Sequence, residues 1–338
     1  MIPTRFGRPP PEGICIREGR APEWSAVDLS VVVVSFNSRD HLGPCLDSIG
    51  ASTRRDWEAI VVDNGSGDGS ADFVAARYSG IALVRNSGNR GFAAAVNQGL
   101  GLVRGRYVLL LNPDARLEPG AADALIDELT RSGDCGIVAP QLFHEDGRRQ
   151  HSFDLDPTLA TALLNKSLLR LCFPGRYPSK RQEYRESIDV ENVIGAAMMI
   201  RAEVLERIGR FDEEYFLYLE ETDFCRRARL AGWKVRLVPA ARVVHLQGRS
   251  RARVAVRARI EYVRSLFTFF RKHRGTSYPV LRVLYPGKNL AEIGGLTLAN
   301  VVTFGLLPRT RRRWLETAAV LGWQMLLCPR RLGLSSHG

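Results

Sequence analysis

From Leu29 to Phe143 the chain alternates between short apolar runs and segments whose apolar side chains recur every three or four positions. Leu29 to Ser35 (LSVVVVS) is dominated by β-branched residues, the composition of a strand buried on both faces of a sheet. In the next segment Leu42, Leu46 and Ile49 fall at i, i+4 and i+7, along one face of a helix. Ala59 to Asp63 (AIVVD), Ile81 to Arg85, Tyr107 to Leu111 (YVLLL) and Ile137 to Phe143 repeat the strand pattern. Between them, Ser70 to Tyr78, the Ala-rich stretch Gly91 to Val103, and Pro119 to Arg131 predict helices. Strands alternating with helices at this spacing predict an α/β fold with a mostly parallel sheet and helices on both faces.

After residue 150 the rhythm loosens. Asn192 to Ile200 predicts a strand, Glu203 to Ile208 a short helix, Glu220 to Ala231 a longer one, and Val235 to Val238 and Arg242 to His245 two short strands. From Arg251 to His273 the pattern becomes a basic helix, followed by apolar pieces flanking Arg309 to Arg313. Residues 1–28, rich in Pro, Gly and Arg and without a period, predict a mobile lead-in. The chain thus divides into that lead-in, an α/β unit over 29–250, and a basic, partly amphipathic helical region over 251–338.

Charge sharpens this division. The net charge is +12, yet from Arg249 to Gly338 there are 17 bases and 3 acids, a balance of +14. The body is therefore close to neutral and the basic excess belongs to the C-terminal quarter. No stretch reaches the roughly 18 to 20 apolar residues of a spanning helix. The first residues (MIPTRFGRPPPEG) lack the apolar core of a secretory signal. The six cysteines include no C-x-x-C pair, which argues against a zinc ribbon or disulfide scaffold and suits a reducing cytoplasm.

In open α/β sheets ligands bind at the carboxyl ends of strands. Here those ends read Ser35-Phe36-Asn37, Asp63-Asn64-Gly65-Ser66, Arg85-Asn86-Ser87-Gly88-Asn89 and Asn112-Pro113-Asp114, all polar and two of them acidic. A dinucleotide fold needs G-x-G-x-x-G directly after its first strand, but no glycine follows until Gly43. A phosphate-binding loop of the G-x-x-x-x-G-K-[ST] type is absent too.

The segments VVVVSFNS, IVVDNGSGDGS, VRNSGNRGFAAAVNQG, YVLLLNPDA and IGRFDEEYFLYLEETDFCRRARLAGW resemble, in order and spacing, the motif series of family 2 inverting glycosyltransferases, and more narrowly their bacterial rhamnosyltransferase-type branch. The resemblance spans roughly residues 29 to 250. It implies a GT-A fold, a nucleotide-diphosphate-sugar donor and a divalent cation, Mg²⁺ or Mn²⁺.

Carried over residue by residue, the resemblance gives Asp63 the donor base, a charge-assisted bond to a pyrimidine N–H. It lines the same slot with Ser35 and Phe36, and closes the donor with the segment bearing Asn86 and Arg90. Asn112-Pro113-Asp114 falls where the family carries its Asp-x-Asp metal motif, so Asn112 is a departure and Asp114 the expected ligand; a hard cation with oxygen ligands neutralises a diphosphate leaving group. His245 is the expected second ligand. Inverting transfer needs one general base on the acceptor hydroxyl. The corresponding acidic pair is Glu220-Glu221, where the family's second acid is usually Asp; Glu221 is the expected base, with Glu220 the alternative. Asp223 and Arg227, four apart, predict a helical ion pair.

Basic clusters beside Trp and Leu faces in the C-terminal quarter suit a helix lying in the plane of an anionic membrane. That agrees with a lipid-linked glycan or polysaccharide acceptor at the inner face of the cell membrane; a packed helical subdomain or a homo-oligomer interface are other uses of the same segment. Without a recognition motif, nucleic acid is not an expected partner. The expected activity is transfer of L-rhamnose from a deoxythymidine-diphosphate donor during surface-glycan synthesis. A uridine-diphosphate donor carrying galactofuranose or a hexose stays open, as does a non-catalytic basic binding protein.

Overall fold

The structure is a computed structural model of the 338-residue chain and describes residues 27–177, 182–246, 255–304 and 306–326. The expected lead-in therefore lies outside the described residues, except that the first strand already begins at Val27. In chain order the elements are β1 (Val27–Ser35), α1 (Arg39–Ser52), β2 (Trp57–Asp63), α2 (Ser70–Arg77), β3 (Ala82–Arg85), α3 (Phe92–Leu100), β4 (Gly105–Leu111), β5 (Ala115–Leu117), α4 (Ala121–Arg131) and β6 (Cys135–Phe143). There follow β7 (Phe153–Asp154), α5 (Leu159–Leu163), α6 (Lys166–Cys172), β8 (Ile188–Asp189), β9 (Asn192–Val193), β10 (Ala197–Arg201), α7 (Ala202–Ile208), α8 (Glu220–Leu230) and β11 (Lys234–His245). Three long helices end the described chain: α9 (Ala255–His273), α10 (Tyr278–Val302) and α11 (Pro308–Met325).

The main sheet runs β3-β2-β1-β4-β10-β6-β11-β5, with β8 beside β11. Its period-2 strands bury both faces. Val31, Val33, Val61 and Leu109 pack under α1 and α4, while Val32, Ile60, Val62 and Leu110 pack under α3, α7 and α8. Met198 and Met199 sit one on each face of β10 and are core.

The parallel order holds for β3-β2-β1-β4 and again for β6-β11, but β10 lies antiparallel between β4 and β6. The second half of the sheet is therefore mixed, beyond what the strand–helix alternation predicted. The expected strand Asn192 to Ile200 is broken at Ile194–Ala196, where Ala196 O accepts from the Asn112 N–H at 2.9 Å and Gly195 passes the Glu221 side chain. The two short strands expected before His245 are one strand, β11, whose register against β6 shifts between Val238 and Arg242. That bulge turns the end of β11 toward β5, an element the periodicity did not show, so that His245 pairs with Ala115.

Helix α9 buries Val263, Leu266, Phe269 and Phe270 against Tyr215 and Leu219 in the loop before α8, and α10 and α11 complete this third core through Leu281, Tyr285 and Trp323. The start of the basic quarter is thereby fastened to the loop that delivers Glu220 and Glu221.

Candidate active site

The carboxyl ends of β1, β2, β3 and β4 form one rim, and each carries a sequence-expected residue. Ser35 and Asp63 are register partners across β1 and β2. Asp63 Oδ2 accepts from the Ser66 N–H at 3.0 Å, an Asx-type turn, while Asp63 Oδ1 and Ser35 Oγ are buried with no hydrogen-bond partner. Buried polar atoms are normally satisfied, so these two orphans leave hydrogen-bonding capacity open at the strand ends. The Phe36 ring beside them is exposed.

Asn64, next along the chain, is the residue the motif comparison passed over. Its N–H donates to Ser35 O at 2.7 Å, its amide nitrogen to Asn89 Oδ1 and Gly91 O, and its Oδ1 accepts from Asn86 Nδ2 and the Arg90 N–H at 3.1 and 3.0 Å. One buried side chain thus fixes the turn after β2 and the loop after β3 to each other. Asn86 is committed inside this network, exchanging two hydrogen bonds with Gln98 at 2.8 and 2.9 Å, so its amide braces the loop and does not extend over it. Arg90 is held by its backbone and its side chain is exposed. Gly65, at φ +80°, lets the two turns meet: a Cβ there would stand 2.6 Å from Gly88 Cα. Gly91, at φ +88°, does the same against Phe216, whose carbonyl accepts the Phe92 N–H.

Asp114 follows β4 and His245 ends β11. Their side chains meet with Nε2 3.4 Å from Oδ1, and Asp114 O accepts the Leu246 N–H. Burial opposes ionisation of Asp114, but the hydrogen bond and charge of His245 outweigh it and hold the carboxyl below its ordinary range. Behind the imidazole, Gln150 Oε1 lies 3.0 Å from Nδ1, and the Gln150 amide nitrogen also donates to His245 O. A carbonyl oxygen facing Nδ1 takes the N–H there, so a cation bound at Nε2 would replace the hydrogen that Nε2 turns toward Asp114. Among the described residues no group of three His, Cys, Asp or Glu side chains converges as a metal site. The pair could supply two ligands and leave further positions to oxygens of water or ligand, a donor set that fits a hard or borderline divalent cation. Asn112, the departure from the acidic motif, is tied by its backbone to Ala196 and Ala115.

Glu220 and Glu221 open α8, reached through two consecutive residues in the left-handed region, Tyr218 at φ 72° and Leu219 at φ 65°. Glu221 and Tyr218 line a cavity of about 180 Å³ between β7, α5, α6 and α9. Glu220 is absent from its wall and turns toward Glu261 of α9, whose charge it feels. Burial drives the Glu220 carboxyl well above the ordinary range, and the charges of Glu221 and Glu261 push the same way. Burial also raises Glu221, opposed by the backbone amides of Glu221, Thr222, Gly195 and Leu219. Phe211 stacks on Phe224 at 4.4 Å between ring centres, and Asp223 pairs with Arg227 at 2.7 Å, as the spacing predicted.

A mixed α/β sheet flanked by helices, with polar strand ends, an Asp114–His245 pair and a carboxylate lining a cavity, is the architecture of a GT-A glycosyltransferase. The chain belongs to glycosyl transferase family 2, whose family model matches residues 30–209. It is 30% identical over 304 residues to an N-acetylglucosaminyl-diphospho-decaprenol L-rhamnosyltransferase of Mycobacterium tuberculosis, covering 85% of this chain and 97% of that protein. The rhamnosyltransferase WbbL of Escherichia coli K12 is 24% identical over 228 residues, 64% of this chain and 82% of that one. Among solved structures, the mannosyltransferase PcManGT of Pyrobaculum calidifontis, in complex with GDP-Man and Mn²⁺, shares the fold with a TM-score of 0.56 at 18% identity, covering 91% of this chain and 89% of that one.

Proposed function

We propose that this enzyme transfers L-rhamnose from a deoxythymidine-diphosphate donor to a hydroxyl of a lipid-diphosphate-linked sugar, inverting the anomeric centre by a single displacement. The observation that carries the reading is the placement of Glu221. It is a buried carboxylate at a helix N-terminus, lining the cavity and passing close to Gly195. A raised affinity for the proton suits a general base for an alcohol. The 97% coverage of the mycobacterial relative supports the sugar and the lipid-linked acceptor.

In this reading the open oxygens of Asp63 and Ser35 take the donor's base and ribose side, with the Phe36 ring over the slot. Asp114 and His245 Nε2 would hold a divalent cation, Mg²⁺ or Mn²⁺, which when bound supplies charge neutralisation to the departing diphosphate. Glu221 accepts the acceptor hydroxyl proton, and the cavity around it excludes water from the competing reaction. Burial away from the cavity wall favours the neutral form of Glu220 over its carboxylate.

The same reading places the enzyme on a membrane surface. No described helix is long and apolar enough to cross a bilayer. Around the turn from α10 to α11, however, Leu298, Val301, Val302, Phe304 and Leu306 are exposed, and Arg309, Arg311, Arg312 and Arg313 follow at once. Apolar side chains rimmed by arginine suit the boundary of an anionic leaflet.

The test is a panel of nucleotide sugars in thermal-shift and hydrolysis assays with Mn²⁺ or Mg²⁺. A deoxythymidine-diphosphate-rhamnose signal that needs metal and is lost in Asp114→Ala is the expected result. A panel with no stabilising donor refutes the proposal.

A further inference from the structure

The cavity at Glu221 has one feature that the transfer chemistry leaves unused. Among the described residues lining it, Arg170 on α6 is the sole Lys or Arg. No hydrogen bond or ion pair joins Arg170 to another described residue. Its neighbours differ. Arg226 and Arg229 both hold Asp156 at 2.7 and 2.8 Å, and Arg176 holds Glu191 at 2.9 Å. A guanidinium kept free of carboxylates beside a cavity is open to an anionic ligand, and its fork matches phosphate oxygens.

The helix bearing it has a second property. Leu168 and Leu171, three apart and so on one face, are 53% and 80% exposed, and Phe173 just beyond is 59% exposed. They flank Arg170 in the chain and form an exposed apolar face of the same short segment. Also in the lining, His151 Nε2 is buried without a hydrogen-bond partner, with Asp154 Oδ2 3.8 Å away. The cavity volume of about 180 Å³ is that of about six waters, which suits a sugar and excludes a long hydrocarbon chain.

Resting on the acceptor reading above, we propose that Arg170 is the acceptor's diphosphate-binding residue. The acceptor sugar lies in the cavity against Glu221, its diphosphate meets the Arg170 guanidinium at the mouth, and the first part of its prenyl chain leaves over Leu168, Leu171 and Phe173. Sugar, anion and hydrocarbon then follow one another in the order that such a molecule presents them. Arg170 is a specificity determinant and takes no part in bond making.

The test uses farnesyl diphosphate as probe, with the full chain in metal-free buffer containing EDTA so that donor-site capture of the diphosphate is disfavoured. Arg170→Ala is expected to weaken binding about 10- to 100-fold, the range of one charged hydrogen-bonding contact. Arg170→Lys, which keeps the charge, should recover most of it, and binding of farnesol should be the same in all three proteins. Leu171→Ser should weaken both probes. Unchanged diphosphate binding in Arg170→Ala overturns the proposal, as does an equal loss for farnesol, no binding by the native protein, or inorganic pyrophosphate competing as well as the lipid. Donor hydrolysis without acceptor, measured in parallel, reports on the transferase reading separately. A native protein that binds the lipid diphosphate through Arg170 but hydrolyses no donor refutes the transferase reading alone, and one that hydrolyses donor but binds no lipid diphosphate refutes this proposal alone.

Discussion

His273, near the end of α9, lies with Nε2 2.6 Å from Oδ1 of Asp223, in the first turn of α8. Asp223 is fully buried, and its other oxygen takes Arg227. Burial opposes its charge, while His273 and Arg227 together hold the carboxyl below the ordinary range. The basic C-terminal quarter therefore begins as a clamp on the helix that bears the proposed base. Lys272 with Asp212, and Arg271 with Glu214, repeat the attachment on the loop before it.

Removing this clamp should be costly. His273→Ala leaves a buried carboxylate with one partner instead of two, and the expected loss is about 2 kcal/mol of folding stability. The pH dependence has a definite sign. Because the folded-state affinity of Asp223 for the proton is depressed, its stabilisation is present above the ordinary carboxylate range and is lost as pH falls through the folded value. In His273→Ala that depression shrinks, so acid unfolding should begin at higher pH; overlapping acid melts of the two proteins would remove the clamp from the account.

For the acidic pair the expectation is asymmetric. Glu221→Gln should lower transfer by at least about 10²-fold, the low end for a lost general base, while donor binding persists. Glu220→Gln should keep transfer within a few-fold, since amide and protonated acid are isosteric. A carboxyl whose folded affinity for the proton is raised lowers stability as pH climbs from the ordinary range to the folded value. Glu220→Gln should therefore melt higher than the native protein at neutral pH and alike in acid. The native rate should rise with pH through an acidic limb above the ordinary carboxylate range, set by Glu221. If Glu221→Gln transfers normally, the base is Glu220.

How much of the site is legible in the sequence depends on distance along the chain. The four strand ends were legible because a β-branched run followed at once by Asp63-Asn64 or Asn112-Pro113-Asp114 is a local pattern. The meeting of Asp114 with His245 came from family resemblance, since the bulge in β11 that brings them together has no local signature. Asn64 and Gln150 were missed for the same reason: an amide reads as turn or surface until its partners, 22 to 95 residues away, are in place. A signal for Asn64 was present in hindsight, for an Asn directly after an all-apolar strand and before Gly65 is placed to bridge turns. The antiparallel insertion of β10 was illegible because buried strands of either direction share one composition.

Gln150 gives the metal prediction. Partners that orient a ligating histidine usually change affinity by about 10- to 100-fold when removed. Gln150→Ala should raise the Mn²⁺ concentration needed for half-maximal donor hydrolysis by that factor. At saturating metal the rate should return. Were the rate to stay low at any metal concentration, Gln150 would be a structural residue only.

Asn64→Ala should uncouple two turns. It strands donors and acceptors of Asn86, Asn89, Arg90 and Gly91 in a buried place, at about 1–3 kcal/mol for each unsatisfied group. The neighbouring loop can partly open to water, so about 3 kcal/mol in total is expected. Donor KM should rise more than kcat falls, because the base and the metal pair stand on other elements. Equal effects on both parameters would assign Asn64 a wider role than the donor slot.

The turn between α10 and α11 tests membrane attachment without touching the core. Val302 and Phe304 are 69% and 90% exposed, so Val302→Ser with Phe304→Ser removes little packing and the melting temperature should hold. Burying each side chain in lipid is worth about 1.5–3 kcal/mol, so the pair should cut binding to vesicles containing anionic lipid by 10²-fold or more. Added salt should weaken native binding further, because the arginines from Arg309 to Arg313 act through a screened field. Transfer to a short, water-soluble acceptor should be unchanged in this variant, while transfer to a prenyl-linked acceptor in vesicles falls. Equal sedimentation of native and variant protein with such vesicles would refute this surface as the point of attachment.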